Sequence, residues 1–404
     1  MNAKPTPAAR ILPLLALAFG LVFLVRYVIG YLAPAMVAEL HMDAGELGLL
    51  SAAFALAWAF AGWLVPVVAA RDGSPRHWLA ATTLLLSLSC LGSAMAGGLY
   101  ALIACRVLAG AAGGPAMPLI QGIVAHHLDA RHRGLHMGLI QGVGGSVLAG
   151  ILGPLLLIPA GQYLGWRTTM LALGAGLAAC SLGLRLSLPP LQVTTSREEA
   201  SAATAAASPM PATRNLGLCC AIGGLLVGWL ILNTTFFPLY MAQVRNFGSG
   251  EIGTVMSSMG AGSLVGVLLL PWLSDKLGRR PILALASLMG VLAPWALLHF
   301  GHVAAPMLLL LFAGSLAGGC FPLFIAVIPS ESVPARRIAA SVGLVQAACE
   351  IVGGVVAPAL FGGLAVSHGL STPLLAAMVA CPLAAILALA IVEPAPGRPP
   401  GQAR

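Results

Sequence analysis

The sequence predicts an all-α integral membrane protein, with twelve transmembrane helices arranged as two six-helix, pseudo-symmetric bundles. Three observations predict it. The 404-residue chain is 59% hydrophobic and only 8% charged, with a mean hydropathy of +0.96, far from a soluble globular composition. Its apolar residues fall into twelve runs of roughly twenty, the length that crosses a hydrocarbon core when each pass must satisfy its own backbone. A polar stretch divides these runs six and six, and the halves match at a shift of 205 residues.

The first run, 11–38, follows Lys4 and Arg10 in the manner of an export signal. No small-residue cleavage site precedes Arg26 and Pro34, so it is read as the first span. Spans 46–69, 78–97, 100–125, 135–160 and 167–188 complete an N-terminal bundle over 1–188. Segment 189–215, rich in Ala, Ser, Thr and Pro with a small charge cluster at Arg197, Glu198 and Glu199, reads as a cytoplasmic linker. Spans 216–242, 251–273, 282–300, 305–329, 338–366 and 373–392 form the second bundle, 216–404, which ends in a short cytoplasmic tail. The 49 Gly and 29 Pro suit closely packed, bendable membrane helices.

The connections alternate in charge. Arg71, Arg76, Arg131, Arg133, Arg185, Arg197, Arg214, Lys276, Arg279, Arg280, Arg336 and Arg337 share one side with both termini, while Arg167 and Arg245 lie opposite with the acids Glu39, Asp43 and Glu251. The positive-inside rule then places both termini in the cytoplasm and the chain in the inner membrane. A net charge of +8 split into short clusters excludes a nucleic-acid stripe. The eight cysteines, Cys90, Cys105, Cys180, Cys219, Cys220, Cys320, Cys349 and Cys381, sit inside apolar runs and read as packing residues. No nucleophile–base pair stands out, and His126 with His127 marks a helix end, so neither an enzyme nor a cofactor or metal is expected. The expected partners are the lipid bilayer, a small solute and protons, with the chain working as a monomer.

The repeat is specific. Gly138, Leu139 and Gln141 return as Gly343, Leu344 and Gln346; Ala130 and Arg131 as Ala335 and Arg336; Arg71 and Gly73 as Lys276 and Gly278. Pro34, Pro118 and Pro154 return one position earlier, as Pro238, Pro322 and Pro358. Parallel repeats place a solute site at their interface near mid-bilayer and give alternating access by rocking.

Charges in hydrocarbon need a reason, and Arg26, Arg106 and Glu350 are the ones found there. Arg26, about fifteen residues into the first span, offers a guanidinium fork suited to a carboxylate; pairing with a carbonyl or with Glu350 is the structural alternative. Glu350, the acid deepest in the eleventh span, is a candidate proton carrier, with Gln346 one turn away; a permanent ion pair is its alternative. Their repeat counterparts are Ile231 for Arg26 and Gly145 for Glu350, so neither charge belongs to the shared scaffold. Gln141 and Gln346 could line a cavity or join helices. Asn233, Thr234 and Thr235, with Tyr27, Tyr31 and Trp58, could complete a pocket or simply pack. Arg106, near the outer end of the fourth span, precedes Gly110, Gly113, Gly114 and Pro115, a face of small residues suited to close packing.

The loop Asp275-Lys276-Leu277-Gly278-Arg279-Arg280 resembles the signature loop of the major facilitator superfamily. The series Arg106, Gly110, Gly113, Pro115 resembles its fourth-helix motif, and Gly153-Pro154 its fifth-helix Gly-Pro. The resemblance implies a secondary transporter with gating contacts at Asp275, Lys276, Arg279 and Arg280. The stretch Arg26 to Leu40, with Tyr27, Ala33, Pro34, Met36 and Glu39, is similar to the first helix of anion:cation symporters of organic acids, which implies carboxylate binding at Arg26. The sequence departs from those relatives at Val25 and Gly113, where acids stand, so Glu350 takes the proton or transport is driven otherwise. Ala70 replaces the signature acid in the first half, with Asp72 two positions on. The segment 329–336 resembles sugar-porter-like loops instead. The expected function is alternating-access transport of a small organic anion coupled to protons, with substrate contacts at Arg26, Tyr27, Tyr31, Gln141, Asn233 and Gln346 and proton coupling at Glu350. Export of drugs by the same fold, or a non-transporting sensor, are the competing readings.

Overall fold

The structure is a computed structural model that describes residues 7–72, 75–127, 133–187, 213–334 and 337–393. All regular structure among them is helical. Among the described residues, eleven helices are long and apolar enough to cross a membrane. The longest, His136–Ser187, has 52 residues and would run about 78 Å, more than twice the hydrocarbon thickness. Gly165, with φ of +85°, breaks it, because a right-handed helix cannot pass through that region of backbone space. Two spans result, and the total is twelve.

In chain order these are α1 (Ile11–Leu40), α2 (Ala44–Pro66), α3 (Pro75–Met95), α4 (Leu99–Val124), α5 (136–165), α6 (Trp166–Ser187), α7 (Arg214–Gln243), α8 (Ser249–Leu277), α9 (Arg279–His299), α10 (Ala305–Ser332), α11 (Ile338–His368) and α12 (Ser371–Leu389). The runs read from the sequence agree to within a few residues. The linker is outside the described residues except for 213–215, as are Arg131, Arg336 and the side chains of Ala70, Arg71, Asp72, His126, His127 and Arg133.

Small residues set the helix spacing in both halves. A Cβ on Gly114 or Gly62 would run into the facing backbone of α2 or α4, and one on Gly319 or Gly266 into α8 or α10, which is the same pair of contacts repeated. The helix starts repeat too. Asp43 and Glu46 exchange side-chain and backbone bonds at 2.8 and 3.0 Å ahead of α2, and Glu251 accepts from the Gly248 N–H at 2.8 Å ahead of α8. Glu46 and Glu251 are themselves 205 residues apart.

The halves meet along the part of the bilayer away from the termini. A Cβ at Gly30 of α1 would strike the Thr234 carbonyl of α7, one at Gly48 of α2 the Pro358 carbonyl of α11, and one at Gly260 of α8 the Gly150 carbonyl of α5. Ser257 donates to the Ile151 carbonyl at 2.8 Å and Gly253 faces that of Pro154. Gly122, Gly138, Gly217 and Gly343, on the terminus side, meet no such neighbour. The helices therefore close over the middle of the bundle from the side away from the termini.

Candidate functional site

The site stands where α1, α2, α4, α7 and α11 approach each other at mid-bilayer. Arg26 of α1 donates through Nη2 to both carboxylate oxygens of Glu350 of α11, at 3.0 and 2.9 Å. The two side chains are 7% and 4% exposed, so the pair joins the halves in a place water barely reaches. Gln346, one turn before Glu350, donates to its Oε1 at 3.3 Å. Removing two charges from water costs several kcal/mol each, and such a pair persists only when its geometry and further hydrogen bonds offset that.

Local sequence explains the placement. Glu350 opens a π-helical stretch, Glu350–Val356, and Ile140–Leu152 of the corresponding helix α5 is also π-helical. A π-turn inserts a residue and rotates the following face, a distortion found often at functional sites. Gly354 gives the glutamate room, since a Cβ there would come within 2.8 Å of Oε2. On the other side, Trp58 of α2 lies beneath the Arg26 guanidinium, 4.8 Å from centroid to Cζ. Trp58 fits because Gly113 of α4 leaves its ring space: a Cβ there would be 2.6 Å from Cζ3. The glycine of the fourth-helix motif thus supports the ring that supports the arginine.

Arg106 lies farther in than the sequence suggested. It is two turns inside α4, and its long side chain reaches the middle of α1, where Nη1 donates to the Val25 carbonyl at 3.0 Å and Nη2 to that of Arg26 at 3.4 Å. Its guanidinium covers the Phe54 ring at 4.2 Å, and its buried Nε has no partner. Gly110 lets α2 come this close, for a Cβ there would strike the Phe54 carbonyl. At Gly114 and Pro115 the helix takes a turn before continuing as Ala116–His127.

A small cavity beside the ion pair is lined by Arg26, Tyr27, Phe54, Arg106, Thr234 and Thr235 among others, and gives the centre of a water molecule about 10 Å³, room for a single one. The other expected contacts divide. Tyr27 lines the cavity, whereas Tyr31 turns its hydroxyl to the Ala149 carbonyl of α5 at 3.0 Å, joining helices of one half. Asn233 is fully buried with neither amide atom paired and does not line the cavity; it is one turn beyond Trp229, which donates to the Gly290 carbonyl of α9. Gln141 is half-buried in the π-helical part of α5. Gly153 packs against Leu24 of α1, and the Pro154 carbonyl against Gly253. Ser51 and Thr235, whose hydroxyls meet across the halves at 3.2 Å, were not singled out as a pair by the sequence; a serine among alanines on an apolar helix was the available signal.

The signature loop forms a network inside the second half. Arg279 pairs with Asp275, donates to Ser274 Oγ at 2.8 Å, and reaches Glu331 of α10 at 3.1 Å. Lys276 lies over the Trp272 ring at 3.9 Å, and Arg280 donates its backbone N–H to Glu393 at 2.6 Å. Gly278, with φ of +99°, makes the turn. Among the described residues no group of three or more His, Cys, Asp or Glu could hold a metal ion.

The chain is similar to known proteins. The chain is 28% identical over 299 residues to a chloramphenicol resistance protein of Streptomyces lividans, covering 70% of this chain and 69% of that one. It is 26% identical over 263 residues to a "Probable 4-methylmuconolactone transporter" of Cupriavidus pinatubonensis, covering 64% and 60% respectively. The crystal structure of the nucleoside transporter NupG superposes with a TM-score of 0.74 at 16% identity over 96% of this chain and 98% of that one, a likeness of fold. The family model described as Major Facilitator Superfamily matches residues 15–355 and again 218–404. A twelve-helix membrane protein with two like halves meeting at a buried site, and not an enzyme, the chain belongs to the Major Facilitator Superfamily of secondary transporters.

Proposed function

We propose that this transporter moves a small organic carboxylate across the inner membrane by alternating access, together with a proton. The observation that carries the reading is the Arg26–Glu350 ion pair, which joins the halves at the cavity. A substrate carboxylate and the Glu350 carboxylate compete for one guanidinium. Two carboxylates there would leave a negative charge uncompensated in a low dielectric, so anion binding and protonation of Glu350 favour each other. With the proton on Glu350, the bond to Arg26 loosens, and the substrate takes its place. In this reading Tyr27 and Gln346 shape the pocket, while Tyr31, Gln141 and Asn233 act through helix packing.

The basic connections put both termini in the cytoplasm, so the closed side is the outer one and Asp275, Lys276, Arg279 and Arg280 belong to the cytoplasmic gate. The chain functions as a monomer. The test is uptake of labelled carboxylates into vesicles with and without an inward proton gradient. Gradient-stimulated uptake of one acid, lost in Arg26→Ala, is the expected result; gradient-independent uptake, or uptake that survives the substitution, overturns it. A second reading, export of a drug-like compound, is favoured by the chloramphenicol resistance relative. It predicts that loss of the gene sensitises cells to such compounds while no acid is taken up.

A further inference from the structure

Resting on that reading, we infer that the site takes one class of carboxylate: a monocarboxylate with an apolar, preferably aromatic, body, bound with one proton so that the cycle is electroneutral. The inference comes from counting the charges and free polar groups at the cavity. Two charged side chains line it, Arg26 and Arg106, and a third, Glu350, is paired with Arg26 beside it. Arg106 cannot serve as a second anion clamp, because its fork already donates to the carbonyls of Val25 and Arg26 and its face covers Phe54. Its Nε is buried without a partner, and swinging the guanidinium onto a carboxylate would strip the Val25 and Arg26 carbonyls of their donor and uncover the Phe54 ring. Arg26 is therefore the one guanidinium that can pass from Glu350 to a substrate, and it can serve one carboxylate. A second carboxylate on the same molecule would enter the hydrocarbon unpaired.

The same count fixes the proton. Empty, the site holds two guanidinium ions and one carboxylate, a net charge of one positive. Loaded with a monocarboxylate and a proton on Glu350, it holds two guanidinium ions, a neutral acid and one anion, again one positive. Both reorienting forms then carry equal charge through the bilayer, and the membrane potential does no work on the cycle. The proton comes from water and leaves to water, with Glu350 its carrier. The titratable and charged groups around Glu350 are Arg26 and Tyr27 on α1, Arg106 on α4 behind them, and the Cys349 thiol beside it, with Cys219 and Cys220 of α7 beyond. The charged residues of α2 and α7 stand at their ends, away from this level.

The body of the substrate follows from the walls. Tyr27, Phe54, Ala55 and Ile231 line the cavity, and Trp58 lies under Arg26. Of the four hydroxyls in the wall, three are already engaged, Thr234 with the Leu230 carbonyl at 2.9 Å and Ser51 and Thr235 with each other, which leaves the Tyr27 phenol to meet a substrate. A polyhydroxylated acid would find few partners and lose its water.

The test is calorimetric binding to the purified full chain, each ligand titrated in two buffers of different ionisation enthalpy, which yields protons taken up per ligand. Benzoate and phenylacetate are expected to bind about a hundredfold or more tighter than succinate and glucuronate, with about one proton taken up. In Glu350→Gln, benzoate binding is expected to persist with proton uptake near zero, which a purely structural glutamate would not produce. Succinate or glucuronate binding as tightly as benzoate, or monocarboxylate binding without a proton, overturns this inference but leaves carboxylate transport standing. No binding by any of the four overturns the proposed function itself.

Discussion

At the residue scale, the Arg26–Glu350 pair makes a prediction that separates charge from packing. Removing one member leaves its partner charged and unpaired in a site 4–7% exposed, which costs about 3–5 kcal/mol, whereas replacing both with apolar residues costs little. Glu350→Leu alone is expected to lower the unfolding midpoint in detergent sharply, and Arg26→Met combined with Glu350→Leu to recover most of it. A double variant as unstable as the sum of the singles would show that the two do not act as a pair. Trp58 offers a second case. Gly113→Ala places a methyl 2.6 Å from its ring and should displace it from under Arg26, weakening carboxylate binding by about tenfold, on the order of the 1–3 kcal/mol typical of overpacking. Titration of benzoate against that variant checks it. The sequence made Arg26 and Glu350 legible because a charge in an apolar run is conspicuous. Their contact is legible only as the structural alternative to substrate binding, because they stand 324 residues apart in the chain and the fold alone brings them together.

At the element scale, backbone contact between helices of opposite halves holds the side away from the termini shut. Gly30 against Thr234, Gly48 against Pro358 and Gly260 against Gly150 are positions where a Cβ meets backbone, which cannot move aside as a side chain can. Gly30→Ala or Gly260→Ala should therefore disfavour this closed form by about 1–3 kcal/mol, a shift in population of roughly fivefold to a hundredfold or more. An increased rate of labelling at a cysteine placed near the outer end of α7 would show it, and an unchanged rate would count against it. The two halves' α5 and α11 were read correctly as spans, but their π-helical stretches were not foreseen. An apolar, glycine-rich run satisfies the period of either helix, so neither segment announces the wider turn. Asn233 shows the converse. Its polar type suggests the pocket, yet it is fully buried outside the cavity wall, one turn from Trp229.

For the whole molecule, the charge asymmetry of the connections makes an orientation prediction. Reporter fusions at either terminus are expected to be active in the cytoplasm, and activity outside would overturn the assignment of the closed side. The sequence by itself determined the solvent, the number of spans and their bounds, and the twofold repeat. Those properties are local: hydropathy and length decide whether a segment crosses a bilayer, and neighbouring residues decide where it ends. Tertiary structure alone decided which charges meet, which side is closed, and which of the polar residues face the cavity. Arg106 is the plainest instance. Its sequence marked it as part of a small-residue helix face, but the carbonyls of Val25 and Arg26 that receive it come from another helix, and the rotation of one helix against another is set by interlocking side chains that no single segment contains.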